Sequence, residues 1–291
     1  MTNHRILHLI IPSLMALLTA VQAQAQTAAE QHADSITVTR LLQEGSRQKS
    51  SACLPLFFAR QLLGRPYVAH TLEGNDPERL VVNTRQLDCT TLVENVVALT
   101  LCTQRRSLTY HAFRQALTAM RYRGGVIKGY ASRIHYFTEW ITENTRAGIV
   151  TEIQSPDPPF TAVQQVSVNY MSRHPQSYEA LRSHTELVAD ISRMEKRVSG
   201  QRFRFIPKAR VGRSGELRKA VRDGDIIAIT CKKPGLDIAH LGFAVWSSDG
   251  NLHLLNASML HKKVVEEPMT LYQYLQRHPS HTGIRIIRIN K

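Results

Sequence analysis

The chain has 291 residues, 43% of them hydrophobic and 21% charged, with a formal net charge of +14. That hydrophobic share supports a large core and excludes global disorder. The charge attracts polyanions, but the basic residues are scattered. Zinc-finger spacing, RNP-type aromatics and a helix-turn-helix pattern are all missing, so nucleic acid is not the expected partner.

At the N-terminus, His4 and Arg5 precede an apolar run from Ile6 to Leu18, and Ala23-Gln24-Ala25 follows as a small-x-small site. This layout predicts a signal peptide over residues 1–25 and an exported protein of the periplasm or cell envelope. The run is shorter than the ~20 residues a membrane span needs, so no stable membrane insertion is expected. Residues 26–36 are polar and rich in Ala and Gln and read as a flexible leader. In an envelope setting, the positive charge suits retention near an anionic wall.

Residues 37–291 read as a single domain. Apolar positions at helical spacing predict helix within 37–63, stopped by Gly64 and Pro66. Val81-Val82-Asn83 is an extended piece leading into Leu87-Asp88-Cys89-Thr90-Thr91, where a second helix begins. Its apolar stripe is Leu92, Val96 and Leu99; its N-cap is either Asp88 or Thr91, the latter in a capping box with Glu94. Residues 110–122 predict a further helix, broken by Gly124-Gly125. Residues 131–145 fit helix or strand equally, Pro156 to Pro159 form a loop, and 176–199 are helical by spacing. From about residue 202 the pattern changes to short extended runs: 203–206, 226–231, 241–246, 252–256 and 284–289. Helices first and strands last predict an α+β fold, with a helical insertion around 100–200 shaping a groove.

The chemistry centres on Cys89. At a helix start the thiol sits among unpaired N–H groups at the positive end of the dipole, which predicts a lowered pKa and a better nucleophile. Its flanks are polar, so it lies off the packed face. Cys53 and Cys231 read as packed thiols, and Cys102 lies too far along the Cys89 helix to bridge. His240 heads an alternating strand that ends in Ser248-Asp249-Gly250. A three-residue turn there pairs Ser247 with Asn251, so residues 240, 242 and 256 share a face and Asn256 is diagonal to His240. A two-residue turn would send Asn256 to the other face. Gly242 is expected to leave open space beside the imidazole. Cys89 would attack a carbonyl, His240 would move the proton, and Asn256 would hold the ring, with N–H groups at the helix start facing the oxyanion. A zinc site of Cys89, His240 and His253 lacks the usual ligand spacing, and no metal or cofactor is expected.

These residues resemble the NlpC/P60 papain-like cell-wall hydrolases, and more closely their N-acetylmuramoyl-L-alanine amidase-like branch (DUF1460). The resemblance rests on Gly64-Arg65-Pro66-Tyr67-Val68, Asp88-Cys89-Thr90-Thr91, the run from Gly129 to Phe137, Gly224-Asp225-Ile226-Ile227, Asp237 to Gly242, and Leu255-Asn256-Ala257-Ser258. It implies a papain-like fold, with a nucleophile-bearing helix packed on an antiparallel sheet. The implied activity is hydrolysis of the amide between N-acetylmuramic acid and L-alanine in peptidoglycan or muropeptides. The third catalytic position is often histidine in the wider superfamily; Asn256 occupies it here. Also by resemblance, Tyr67 and Asp88 assist the oxyanion or line the site. Ser132, Arg133 and His135 bind substrate, Arg133 by meeting a peptide carboxylate. Two other readings stay open: an endopeptidase cutting a γ-D-glutamyl bond in the stem, and a non-enzymatic envelope-binding protein. Oligomeric state is not legible.

Overall fold

A computed structural model describes the backbone of residues 11–291 and the side chains of residues 28–291. The first ten residues of the expected signal peptide lie outside the described residues. Helix α1 runs Ile11–Ser46, followed by α2 Leu54–Gln61, α3 Cys89–Gln104, α4 Tyr110–Arg121 and α5 Phe137–Arg146. Shorter helices follow: α6 Tyr170–Arg173, α7 Glu179–Ser183, α8 Leu187–Val198, α9 Ser214–Ala220 and α10 Leu271–Gln276. The strands are β1 Val150–Ile153, β2 Ala162–Gln165, β3 Arg202–Pro207, β4 Ile226–Cys231, β5 Ile238–Trp246, β6 Leu252–Ser258, β7 Lys263–Glu266 and β8 His281–Ile289. Among the described residues, no helix is long and apolar enough to cross a membrane.

The strands form one antiparallel sheet in the order β2-β3-β8-β4-β5-β6-β7, with β1 also paired to β8. Strand alternation divides the core in two. Leu241, Phe243, Val245 and Leu255 face α1, α2 and α3, whereas Ile227, Ile229, Ala244 and Leu254 face α9 and α10. A third apolar cluster, around Tyr136, Met171, Leu181 and Ile191, packs beside the sheet.

Helix α3 is buried on every side from Thr91 to Thr103, because α1, α2, α4 and the sheet surround it. Full burial of Leu92, Val96 and Leu99 contributes about 1.5–3 kcal/mol each. Inside this packing, Arg121 of α4 donates to Glu94 at 2.7 Å, with both side chains 2% exposed. Glu94 is thus a buried ion-pair partner, and Asp88 is the N-cap, accepting from the Thr91 N–H at 2.8 Å. Rigid surroundings on all sides fix where the first residue of α3 can sit.

Three expectations need correction. Residues 28–36 of the expected flexible leader are helical, and Asp34 is buried, accepting from both the N–H and hydroxyl of Thr84. A buried carboxylate with two donors anchors this turn to the loop before α3. The region around 100–200 is not purely helical, since β1 and β2 join the sheet. These are four-residue strands containing Thr151-Glu152 and Gln164-Gln165, too short and polar to show alternation. The ambiguous stretch 131–145 contains α5, which starts at Phe137.

Candidate active site

The hairpin register follows the three-residue turn. Ser247 N–H donates to Asn251 at 3.0 Å, Gly250 has a φ of 85°, and Phe243 pairs with Leu255. His240 and Asn256 therefore share a face, with His240 Nε2 2.9 Å from Asn256 Oδ1. At its other end, β5 slips register against β4: Ile229 pairs with His240 but Thr230 pairs with Ile238, which leaves Ala239 as a bulge. Bulges re-aim side chains next to a site. This one returns Ile238 to the α3 side while His240 stays on the Asn256 side.

Gly242 does not provide open space. A Cβ there would lie 2.6 Å from the carbonyl oxygen of Leu255 and 2.7 Å from Leu254. The glycine lets β6 approach closely enough for the His240–Asn256 hydrogen bond.

The Asn256 amide is itself oriented. Its Nδ2 donates to Glu267 Oε1 at 3.0 Å, and a carboxylate only accepts. Oδ1 must then face His240, and His240 must carry its proton on Nε2, which leaves Nδ1 as the basic nitrogen. Glu267 Oε2 receives a second bond from His261 Nε2 at 3.1 Å. The Glu267 side chain is fully buried. Nothing in the residue pattern alone singled out Glu267. Extending the β6–β7 register, in which Asn256 pairs with Val265, places it on the Asn256 face.

Cys89 and His240 line the same cleft of about 250 Å³, together with His135, Phe137 and Trp140. Burial and then the neighbouring Asp88 carboxylate push the thiol up to about 12, against the pull of the Leu241 N–H, the Thr90 hydroxyl and the backbone N–H of Cys89 itself. The direction is opposite to the expected lowering, because desolvation and Asp88 outweigh the hydrogen bonds that favour the thiolate. Burial lowers the His240 imidazole, opposed by its bond to Asn256 and by the Glu267 charge. Both shifts disfavour the charged forms of the pair.

Tyr67 is half-buried, and its backbone N–H donates to Lys262. Burial, then Cys89 and Asp88, hold its hydroxyl up at about 12. His135 lines the cleft, with Nε2 3.0 Å from the Tyr130 carbonyl; burial and then Arg133 push it down to about 3. Ser132 and Arg133 are placed otherwise than expected. The Ser132 hydroxyl donates to Gly129 and accepts from the Lys128 N–H, closing a turn. Arg133 is 4% exposed and lies 2.6 Å from Glu73 and 3.6 Å from Glu78. Its charge is matched by two carboxylates, and it does not line the cleft that holds Cys89. All four cysteines are free thiols, and His253 Nδ1 lies 3.0 Å from the Glu267 carbonyl.

A thiol and an imidazole in one cleft, with an oriented amide buried behind the imidazole, form the type of array that nucleophilic acyl-transfer enzymes use. The chain belongs to the N-acetylmuramoyl-L-alanine amidase-like (AmiA-like) family, whose pattern matches residues 57–284. A crystal structure of an N-acetylmuramoyl-L-alanine amidase from Bacteroides uniformis is 39% identical, with a TM-score of 0.75, over 85% of this chain and 100% of that one. A Bacteroides fragilis protein described as a candidate xylanase is 38% identical, with a TM-score of 0.74, over 80% of this chain and 100% of that one. A Legionella pneumophila protein with the DUF1460 label is 20% identical, with a TM-score of 0.70, over 91% of this chain and 97% of that one, a likeness of fold. No curated protein matches the sequence.

Proposed function

We propose that this protein is an exported, papain-like cysteine amidase that hydrolyses the bond between N-acetylmuramic acid and L-alanine in peptidoglycan or its soluble fragments. Family membership and the Bacteroides uniformis likeness support the substrate class. The observation that carries the chemistry is the ordered His240–Asn256–Glu267 chain beside Cys89. It leaves one imidazole nitrogen basic on a histidine that shares a cleft with a thiol.

The Cys89 sulfur attacks the lactyl carbonyl as His240 Nδ1 takes the thiol proton. The charge formed on the ring is stabilised by Asn256 Oδ1 and, one bond behind it, by Glu267. N–H groups of the first turn of α3 and the Tyr67 hydroxyl stabilise the oxyanion. Collapse breaks the C–N bond, and His240 delivers the proton to the leaving amine. Water, deprotonated by His240, then cleaves the thioester and restores Cys89. A xylanase reading has less support, because glycosidases use two carboxyl groups across a cleft. Here Glu73 is paired to Arg133 and Asp237 accepts the Thr138 N–H at 2.6 Å.

The test is incubation of mature protein and Cys89→Ala with defined muropeptides, read by mass spectrometry. Intact stem peptide plus bare sugar from the native protein alone is expected. A clipped stem would move the assignment to an endopeptidase, and no product from either protein would overturn the enzymatic reading.

A further inference from the structure

His240 lies between two clefts that differ in charge. The one it shares with Cys89 is walled by aromatic side chains, among them Tyr136, Phe137, Trp140 and Tyr178, and carries Glu73 and Asp237. The other, of about 600 Å³, contains His240 but not Cys89. Apolar residues such as Ile238, Met259 and Leu260 line it together with Lys233, Lys262, Tyr274, His278 and His281, and it has no Asp or Glu among the described residues that line it. Lys233 and Lys262 are exposed. The rings of His240, Tyr274, His278 and His281 form a stacked series with centroids 4.6 to 6.1 Å apart. His281 is 8% exposed, and its buried Nδ1 has no protein partner.

The reaction assigns the two sides. The acyl half of the substrate stays bonded to the cysteine after the C–N bond breaks, so it occupies the cleft that contains Cys89. The leaving amine is protonated by His240 and departs on the side that His240 alone borders. In a muramoyl-L-alanine amide, the acyl half is the sugar, which carries no charge while its lactyl carboxyl is held as an amide or a thioester. The amine half is the peptide stem, with free carboxylates. Charge complementarity points the same way, since a basic cleft favours carboxylates and the aromatic cleft suits a sugar face.

Resting on the amidase reading above, we propose that the cleft lined by Lys233 and Lys262 is the subsite for the leaving peptide and recognises a stem carboxylate. Its preferred substrate class is then muropeptides with a free D-glutamate α-carboxylate, over those in which this group is amidated. Two exposed lysines act mainly through long-range attraction, so the preference falls as ionic strength rises.

The test uses Cys89→Ala, which separates binding from turnover. The probes are the free stem tetrapeptide with D-glutamate at its second position and the same peptide with D-isoglutamine, titrated calorimetrically at low and high salt. About tenfold weaker binding of the amidated peptide is expected. That preference should shrink below about threefold when Lys233→Ala and Lys262→Ala are added, and should survive Lys→Arg at both positions. Equal affinity for the two peptides, no binding of either at millimolar concentration, or a preference unchanged by the double replacement would overturn the subsite. Selective peptide binding in a protein whose native form cleaves no muropeptide would keep the subsite and overturn the amidase assignment instead.

Discussion

Glu267→Ala is the most informative perturbation, because it leaves every expected catalytic group in place. In the native site, the carboxylate compels Asn256 to point Nδ2 at it and Oδ1 at His240. Without it, the working orientation holds a buried N–H with no acceptor, which costs about 1–3 kcal/mol. The flipped amide satisfies that N–H by donating to His240 Nε2, but it shifts the ring proton to Nδ1, where the thiol proton must go. An orphaned carbonyl is tolerated better than an orphaned N–H, so the flipped form gains. At about 1.4 kcal/mol per tenfold, kcat/KM should fall about 5- to 150-fold. The assay is steady-state muropeptide hydrolysis, with circular dichroism melts to confirm folding. Glu267→Gln keeps an acceptor and loses the charge, so its loss should be smaller. Because the Glu267 charge raises the His240 pKa, the acid limb of this variant should also lie lower. If Glu267 acts through Asn256, removing it from an Asn256→Ala background should cost little. Native kcat/KM in Glu267→Ala, or equal losses in both backgrounds, would refute the reasoning.

Two further outcomes follow from the site. The proposed mechanism requires neutral His240; burial lowers its pKa from the ordinary 6.5, so kcat/KM should rise with pH through a value below 6.5 and be at its plateau at neutrality. A pH profile whose acid limb falls at or above 6.5 contradicts the buried-base assignment. Arg133→Ala should act on stability rather than substrate affinity: it strands Glu73 and Glu78 beside an emptied site, which for a buried pair costs about 3–5 kcal/mol. Thermal melts and KM measured together decide this, and a native melting temperature with a raised KM would return Arg133 to substrate binding.

Local features were the legible ones. The break at Gly64, the start of α3 at Cys89, the β5–β6 register and the His240–Asn256 pair all depend on short-range spacing and turn chemistry. A three-residue turn fixes alternation over the whole hairpin, so two residues sixteen positions apart could be paired without a structure. The polar four-residue strands and the buried Asp34 were not legible, because their patterns match those of loops and surface helix. Arg133 misled for a related reason. An arginine beside aromatic residues looks the same in sequence whether its carboxylate partner is a substrate or Glu73.

By itself, then, the chain of residues determined that Cys89, at the start of α3, and the His240–Asn256 pair were the groups to look for, since helix start, hairpin register and turn type are encoded within a few neighbouring residues. Only the tertiary structure decided how those groups are tuned. The thiol is raised rather than lowered because distant segments bury it beside Asp88. Asn256 is oriented by Glu267, and the charge of Arg133 is taken up by a loop about 60 positions away. Desolvation and pairing depend on what arrives from elsewhere in the chain, and spacing within a motif does not record that.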